Sequence, residues 1–339
     1  MLIIRPIREG DYDALYQIAI ESGHGFTSLP VNEELLRSKI SRTQASLAKD
    51  VDKPFDEGYL MVLEDTDTGD IVGTCGLEAA VGMEDAFYHY RLGTEVYHSS
   101  QINVRNEVET LTLCHDYTGA AELCTLFLRE SYRKDNNGRM LSRSRFLFLA
   151  QHAARFGETV IAEMRGVSDE EGHSPFYDWL QKHFLSIDFV EADYLSGLGK
   201  KAFMAEMMPR SPVYVCLLPE DAQKVIGNVH TNTRPAIRLL QAEGFRCRGY
   251  VDIFDAGPTV ECNLTDIRAV RESRLLTVSI GEMPVNGASH ILANTKLADY
   301  RATSAELCVS ADSDTVILSP ELAAGLMVSE GEQIRAVTM

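Results

Sequence analysis

The chain is short of basic residues: 32 Lys and Arg stand against 50 Asp and Glu, a formal net charge of −18 over 339 residues. Nucleic acids and anionic membranes are bound through clustered cations, so the deficit excludes both as main partners, and it is compatible with a cationic substrate. Pairing logic is missing from the cysteines. There are seven, an odd number, scattered without a Cys-x-x-Cys pair, and several fall in apolar strand-like runs such as Val213-Tyr-Val-Cys216 and Glu122-Leu-Cys124. That excludes a disulfide framework or a zinc ribbon and fits buried free thiols in a reducing compartment. No apolar run approaches the roughly 20 residues of a membrane span. The N-terminus turns charged after a few apolar residues, so no signal peptide is expected, and the expected location is the cytoplasm. Gly-x-Ser-x-Gly elbows, Walker loops and metal-ligand spacings among the nine histidines are all absent, so no bound metal is expected.

What is present is an ordinary globular composition, 45% hydrophobic and 24% charged, in a chain long enough to bury a core without staples. Leu2–Ile7 reads as a strand, and Glu9-Gly-Asp11 opens a helix to about Ser22 with Leu15, Ile18 and Ala19 on one face. A second helix is expected from about Asn32 to Ala48. Tyr59–Leu63 and Ile71–Leu77 form a hairpin across the polar turn Asp65–Asp70, and Met83–Thr110 holds one or two strands plus loops. Glu122–Leu128 is a strong strand. A helix over Gly138–Phe156 sets Phe146, Leu149, Ala150 and Ala153 on one face. Thr159–Met164, Pro212–Leu218 and Arg248–Phe254 are further strands, with a short helix from Pro235 to Glu243 ended by Gly244. This order implies an α/β (α+β) fold, a mixed sheet with helices on its faces. After Gly257 short β-rich runs alternate with Gly- and Asp-rich turns around one short helix, Pro320–Leu326. Two units are therefore expected, 1–257 and a small β-barrel-like unit at 258–339 that serves packing or oligomerisation.

Two segments carry chemistry. The strand ending at Leu128 leads into Arg133-Lys-Asp-Asn-Asn-Gly-Arg-Met-Leu-Ser-Arg-Ser-Arg145, where small residues let backbone N–H groups turn toward an anion. A helix N-terminus and Arg or Lys side chains complete a pyrophosphate seat. The other is the polar loop Ile226-Gly-Asn-Val-His-Thr-Asn-Thr233, which sets His230 ahead of a helix. An imidazole with an ordinary pKa near 6.5 exchanges protons at neutral pH.

Together these segments resemble the acyl-CoA N-acyltransferase superfamily, GCN5-related in fold, whose members read pyrophosphate with Arg/Gln-x-x-Gly-x-Gly/Ala after the fourth strand. Arg133 and Gly138 match that pattern. Asn136 stands where the first glycine would be and tolerates the same positive φ. Longer segments resemble the arginine N-succinyltransferase family across the whole chain: His24-Gly-Phe-Thr-Ser-Leu-Pro30, Glu122–Leu128, Gly138–Phe148, Ser174-Pro-Phe-Tyr-Asp-Trp179, the His230 loop and Gly257-Pro-Thr-Val-Glu-Cys262. The resemblance implies a mostly antiparallel sheet and a reaction in which succinyl-CoA and L-arginine give N2-succinyl-L-arginine and CoA in a ternary complex. It implies His230 as proton donor, Leu126 as a succinyl-CoA contact through its main chain, and Arg133 and Gly138 at the pyrophosphate. It implies no permanently bound cofactor; a homo-oligomer such as a dimer is also expected. Glu163, Asp169, Glu170 and Glu171 are candidates for the arginine guanidinium, and His24 for the acceptor site. The alternatives are transfer of another acyl group or to another amine, and a non-catalytic CoA- or arginine-binding module.

Overall fold

The structure, a computed structural model, describes residues 1–23, 26–169, 173–198, 206–310 and 312–339. The strands are β1 (Leu2–Pro6), β2 (Gly58–Asp65), β3 (Asp70–Glu78), β4 (His89–Ser99), β5 (Val104–Cys114), β6 (Ala121–Leu128), β7 (Thr159–Glu163), β8 (Val213–Tyr214), β9 (Arg246–Val251) and β10 (Pro258–Asn263). They continue as β11 (Arg274–Ile280), β12 (Ala288–Asn294), β13 (Ala302–Leu307), β14 (Thr315–Leu318) and β15 (Gln333–Thr338). Hydrogen bonds order them β14-β11-β15-β12-β13-β1-β2-β3-β6-β7-β10-β9-β4-β5-β8. The β6·β7 and β11·β14 ladders are parallel and the others antiparallel, which meets the expectation of a mixed, mostly antiparallel sheet.

β2 shows why the sheet needs helices on both faces. Leu60 and Val62 pack with the helices Tyr12–Ser22 and Glu33–Ala48, while Tyr59, Met61 and Leu63 pack on the side of the helix Asn137–Gln151. A strand covered on both faces reads as a continuous apolar run, as Tyr59–Leu63 does. Asn32 caps its helix by accepting from the Leu35 N–H at 2.9 Å. Among the described residues no helix is long and apolar enough to cross a membrane.

Several local expectations change. Pro212–Leu218 supplies only the two-residue β8 at the sheet edge and then a 3₁₀ turn, Val215–Leu217. The run is apolar because Val215 and Leu218 pack into a side core with Phe176, Tyr177 and Phe254, and such a run does not distinguish a strand from any other buried segment. Met83–Thr110 contributes β4 and most of β5, an 11-residue pairing from His89↔Cys114 to Ser99↔Val104. The Gly138 helix ends at Gln151, before Ala153. From Met140 to Leu149 it is also buried on every side rather than on one face.

The reason lies in the C-terminal strands. They have a core of their own, including Leu276, Val278, Val316 and Ile334, yet they are joined to the main sheet by the β1·β13 ladder. Tyr300 is fully buried and donates its hydroxyl to the Ser144 carbonyl at 2.8 Å, so this unit covers the outer face of the Asn137–Gln151 helix. β10, which begins at residue 258, lies between β7 and β9 in the main sheet.

The feature that makes a site is the parallel ladder in the middle of the sheet. β6 and β7 pair only at Ala121↔Val160 and Glu122↔Ile161. Beyond those residues the two strands run on without pairing, and a gap opens between Cys124–Leu128 and Ala162–Glu163.

Candidate active site

Between the pairs Gly76↔Cys124 and Thr74↔Phe127, β3 has one residue, Cys75, while β6 has two, Thr125 and Leu126. This is a β-bulge, which leaves one residue unpaired and re-aims the strand. Thr125 has φ 55°, a left-handed conformation that is an outlier for a β-branched residue and persists only where its surroundings hold it. The Thr74 hydroxyl does so, donating to the Thr125 carbonyl at 3.0 Å.

Main-chain groups alternate sides along a strand. Arg129 donates its N–H to Val72 of β3 at 2.9 Å, so Phe127 faces β3 as well, and Leu126 and Leu128 face the gap. Side chains take up the neighbouring carbonyls there: Arg133 Nε donates to Leu128 O at 2.8 Å, and an Arg145 Nη to Cys124 O at 3.4 Å. The Leu126 main chain stands between these two, directed at the open side.

The loop after β6 keeps its turn despite the missing glycine. Asn136 has φ 61°, as its residue type allows, and Asp135 is left-handed as well at 50°. Asn136 is the N-cap of a 15-residue helix but makes no side-chain cap bond; the Asn137 N–H turns back to the Lys134 carbonyl at 2.9 Å, and those of Gly138 and Arg139 are left for an anion. A Cβ at Gly138 would meet only Leu128 Cδ2, at 3.9 Å. No protein atom requires glycine there; what the absent side chain keeps clear is the approach to the helix end. Lys134 and Arg139 line the same rim.

His230 is fixed from two directions. Its N–H donates to the Arg165 carbonyl at 2.9 Å, beside the isolated bridge Gly166↔Val229, which sews the loop to the chain leaving β7. Its Nδ1 accepts from the Asn232 N–H at 3.2 Å, which assigns the hydrogen of the neutral ring to Nε2. Burial, and then the nearby Arg165 charge, lower its pKa from the ordinary 6.5. The ring is therefore neutral at pH 7.

Asp255 supports this arrangement from behind, accepting from Gly166 N–H at 2.6 Å and Gly257 N–H at 2.8 Å. A Cβ on Gly166 would fall 2.5 Å from the Asp255 carbonyl oxygen. Gly166→Ala is accordingly expected to shift the His230 loop and lower kcat about tenfold to a hundredfold, with circular dichroism unchanged; wild-type kcat would show that the bridge does not position His230.

One cleft of about 1590 Å³ is lined by Leu126, Arg133, Gly138 and His230 together. Glu163 lines it too, with its Oε1 3.0 Å from the buried His89 ring. Asp169 does not; its carboxylate accepts from the His173 N–H in an exposed loop. His24, Glu170 and Glu171 lie outside the described residues. Sequence reasoning missed Asp252 and Asp255, which line the cleft; a strand reading of Arg248–Phe254 conceals the first and ends just before the second. Burial, then Asp255 and Glu163, push the Asp252 carboxyl well above the usual carboxylate range. It also missed the Thr125 bulge, for which threonine gives no signal.

A model of the family described as arginine N-succinyltransferase beta subunit matches residues 2–269, and the C-terminal domain of that family matches residues 274–338. The curated arginine N-succinyltransferase of Citrobacter koseri is 45% identical over 342 residues, spanning 100% of this chain and 98% of its own. That of Escherichia coli is 45% identical over 341 residues with the same coverage. A solved structure, arginine/ornithine succinyltransferase subunit AI from Pseudomonas aeruginosa, superposes with a TM-score of 0.92 at 36% identity and covers 100% of this chain and 98% of its own.

Proposed function

The chain belongs to the arginine N-succinyltransferase family, and from that premise we propose how its cleft carries out the reaction. The reaction moves the succinyl group of succinyl-CoA onto the α-amino nitrogen of L-arginine and leaves N2-succinyl-L-arginine and CoA. The observation that carries the assignment to this cleft is the β6–β7 gap, where an unpaired bulge and a fixed, neutral imidazole line the same cavity.

Succinyl-CoA enters with its pyrophosphate on the uncapped helix end at Gly138, held by Arg133, and its thioester at Leu126. The Leu126 N–H donates to the thioester oxygen, where charge builds as the amine adds. Neither step uses the leucine side chain. Glu163 gives the acceptor end of the cleft a carboxylate, which suits a cationic amino acid.

As the C–N bond forms, the carbonyl electrons move to oxygen. They return to expel the CoA thiolate as the C–S bond breaks. The nitrogen must shed a proton and the sulfur must gain one. His230 accepts the first and, as an imidazolium, gives one to the thiolate. Its lowered pKa makes that imidazolium a strong acid toward a thiol of pKa about 8.5. Both substrates are bound at once, without an acyl-enzyme. A homo-oligomer and a cytoplasmic location belong to the same proposal, the latter supported by seven cysteines that are all free thiols.

The test is thiol release from succinyl-CoA in the presence of L-arginine, with L-ornithine, polyamines and acetyl-CoA as competing acceptors and donor. No thiol release with any pair, despite CoA binding by calorimetry, would leave only a binding module. Arg133→Glu is expected to raise the KM for succinyl-CoA about tenfold with little change in kcat, because a pyrophosphate contact is made equally in ground and transition states. An unchanged KM would remove Arg133 from the site.

A further inference from the structure

Arg145 is 2% exposed and lines the cleft. Its three guanidinium nitrogens touch only neutral oxygens: Nε donates to Ser142 O at 3.1 Å, one Nη to Ser142 Oγ at 3.0 Å, and the other to Cys124 O at 3.4 Å. Among the described residues no carboxylate compensates it, and burial lowers its pKa, opposed only by the thiols of Cys75 and Cys124. Buried cations are normally paired, and this chain obeys the rule elsewhere. Arg5 is held by Asp11 and Glu64, and Arg143 lies against Glu243. Arg155 caps the end of the Glu33–Ala48 helix through the Ser46 and Lys49 carbonyls, where a helix terminus supplies negative potential. Arg145 has neither form of compensation. A guanidinium has five N–H donors, so with three contacts made, two remain, the number a carboxylate takes in a forked pair.

Position supplies the second half of the argument. The carbonyl that Arg145 holds belongs to Cys124, two residues before Leu126 on the wall of the gap, at most about 7 Å along the chain. In a succinyl thioester the far carboxyl carbon is three C–C bonds from the thioester carbon, about 4 Å. With the thioester at Leu126 and the acyl chain running toward the closed end of the gap at Ala121 and Glu122, the carboxylate arrives at Arg145. Other cations of the cleft fit less well. Arg42 is engaged by Glu78, and Arg165 is half-buried, bonded to Ser168 and next to His230.

We propose that Arg145 is the receptor for the succinyl carboxylate and sets the acyl specificity of this cleft, an assignment that rests on the succinyl-transfer reading above. The empty cleft holds an uncompensated cation that the co-substrate neutralises.

The experiment compares succinyl-CoA with butyryl-CoA, its four-carbon counterpart lacking the carboxylate, in the wild type and in Arg145→Met and Arg145→Lys. Wild type is expected to prefer succinyl-CoA strongly. In Arg145→Met kcat/KM for succinyl-CoA falls on the order of a hundred- to a thousandfold, while that for butyryl-CoA falls far less, so the preference for succinyl-CoA is lost. The methionine variant melts no lower than wild type, because an apolar side chain replaces a desolvated charge. Arg145→Lys keeps the preference for succinyl-CoA at reduced kcat/KM and carries the test should the methionine variant be insoluble. A retained preference in Arg145→Met, or an equal loss with both acyl-CoAs in either variant, overturns the assignment. If wild type itself fails to turn over succinyl-CoA with arginine, it is the reaction that fails; if wild type works and Arg145→Met keeps its preference, only the carboxylate receptor does.

Discussion

His230→Asn is expected to lower kcat for succinyl transfer by about 10²–10⁴-fold, the usual worth of a positioned acid–base group. Asparagine is the informative replacement. His230 caps the 3₁₀ turn Thr231–Thr233 by accepting from the Asn232 N–H, and Asn is among the best residues for that task. The loop is therefore retained while the titrating group is removed, and the melting temperature stays near that of wild type. The pH profile carries a second expectation. Burial and Arg165 lower the pKa of His230 below 6.5, and the neutral ring is the form that accepts the proton. Activity is thus held at pH 7 and lost as pH falls through that lowered pKa. The acid limb of kcat/KM lies below pH 6.5 in wild type and disappears in His230→Asn. A limb that survives the substitution belongs to another group, and a kcat within a few-fold of wild type removes His230 from the chemistry.

Replacing the Leu126 amide N–H by an ester oxygen, with the leucine side chain retained, is expected to lower kcat on the order of 10²–10³-fold, the cost of losing one oxyanion donor. Leu126→Met leaves kcat nearly unchanged, because the side chain takes no part in the transfer. The contrast is the test. The ester keeps the shape of the bulge held by Thr74 and removes only the hydrogen aimed at the gap. Equal kcat in the ester and amide proteins would place the oxyanion donor elsewhere, and a large effect of Leu126→Met with none of the ester would reverse the roles of side chain and main chain.

Much of the fold was legible in the chain. The β2–β3 hairpin announced itself by Asp65–Asp70 between two apolar runs, and the helix capped by Asn32 by its first-turn signal. The turn at Arg133, Asn136 and Gly138 was legible because it is local: Asn136 takes its left-handed conformation as its own residue type allows. Arg145 left a weaker trace, a charge placed at i+4 between Leu141 and Phe148 on a helix, where an apolar residue would be expected. Asp252 and Asp255 were not legible, since the apolar Ile253-Phe254 between them continues the run of the strand before it.

The sequence by itself determined the local conformations, the family and the residue types available for proton transfer and anion binding, because these depend on short-range sterics and on motifs within one segment. Only the tertiary structure decided which of them meet. The β6–β7 gap exists because two strands far apart in sequence pair at one end and not the other. The β6 bulge exists because β3 forces two residues opposite one. The packing of the Asn137–Gln151 helix against β6, where Arg145 meets the Cys124 carbonyl, is what makes Arg145 a buried charge rather than a solvated one, and the desolvation that gives a charge its selectivity is a property of packing that no single segment encodes.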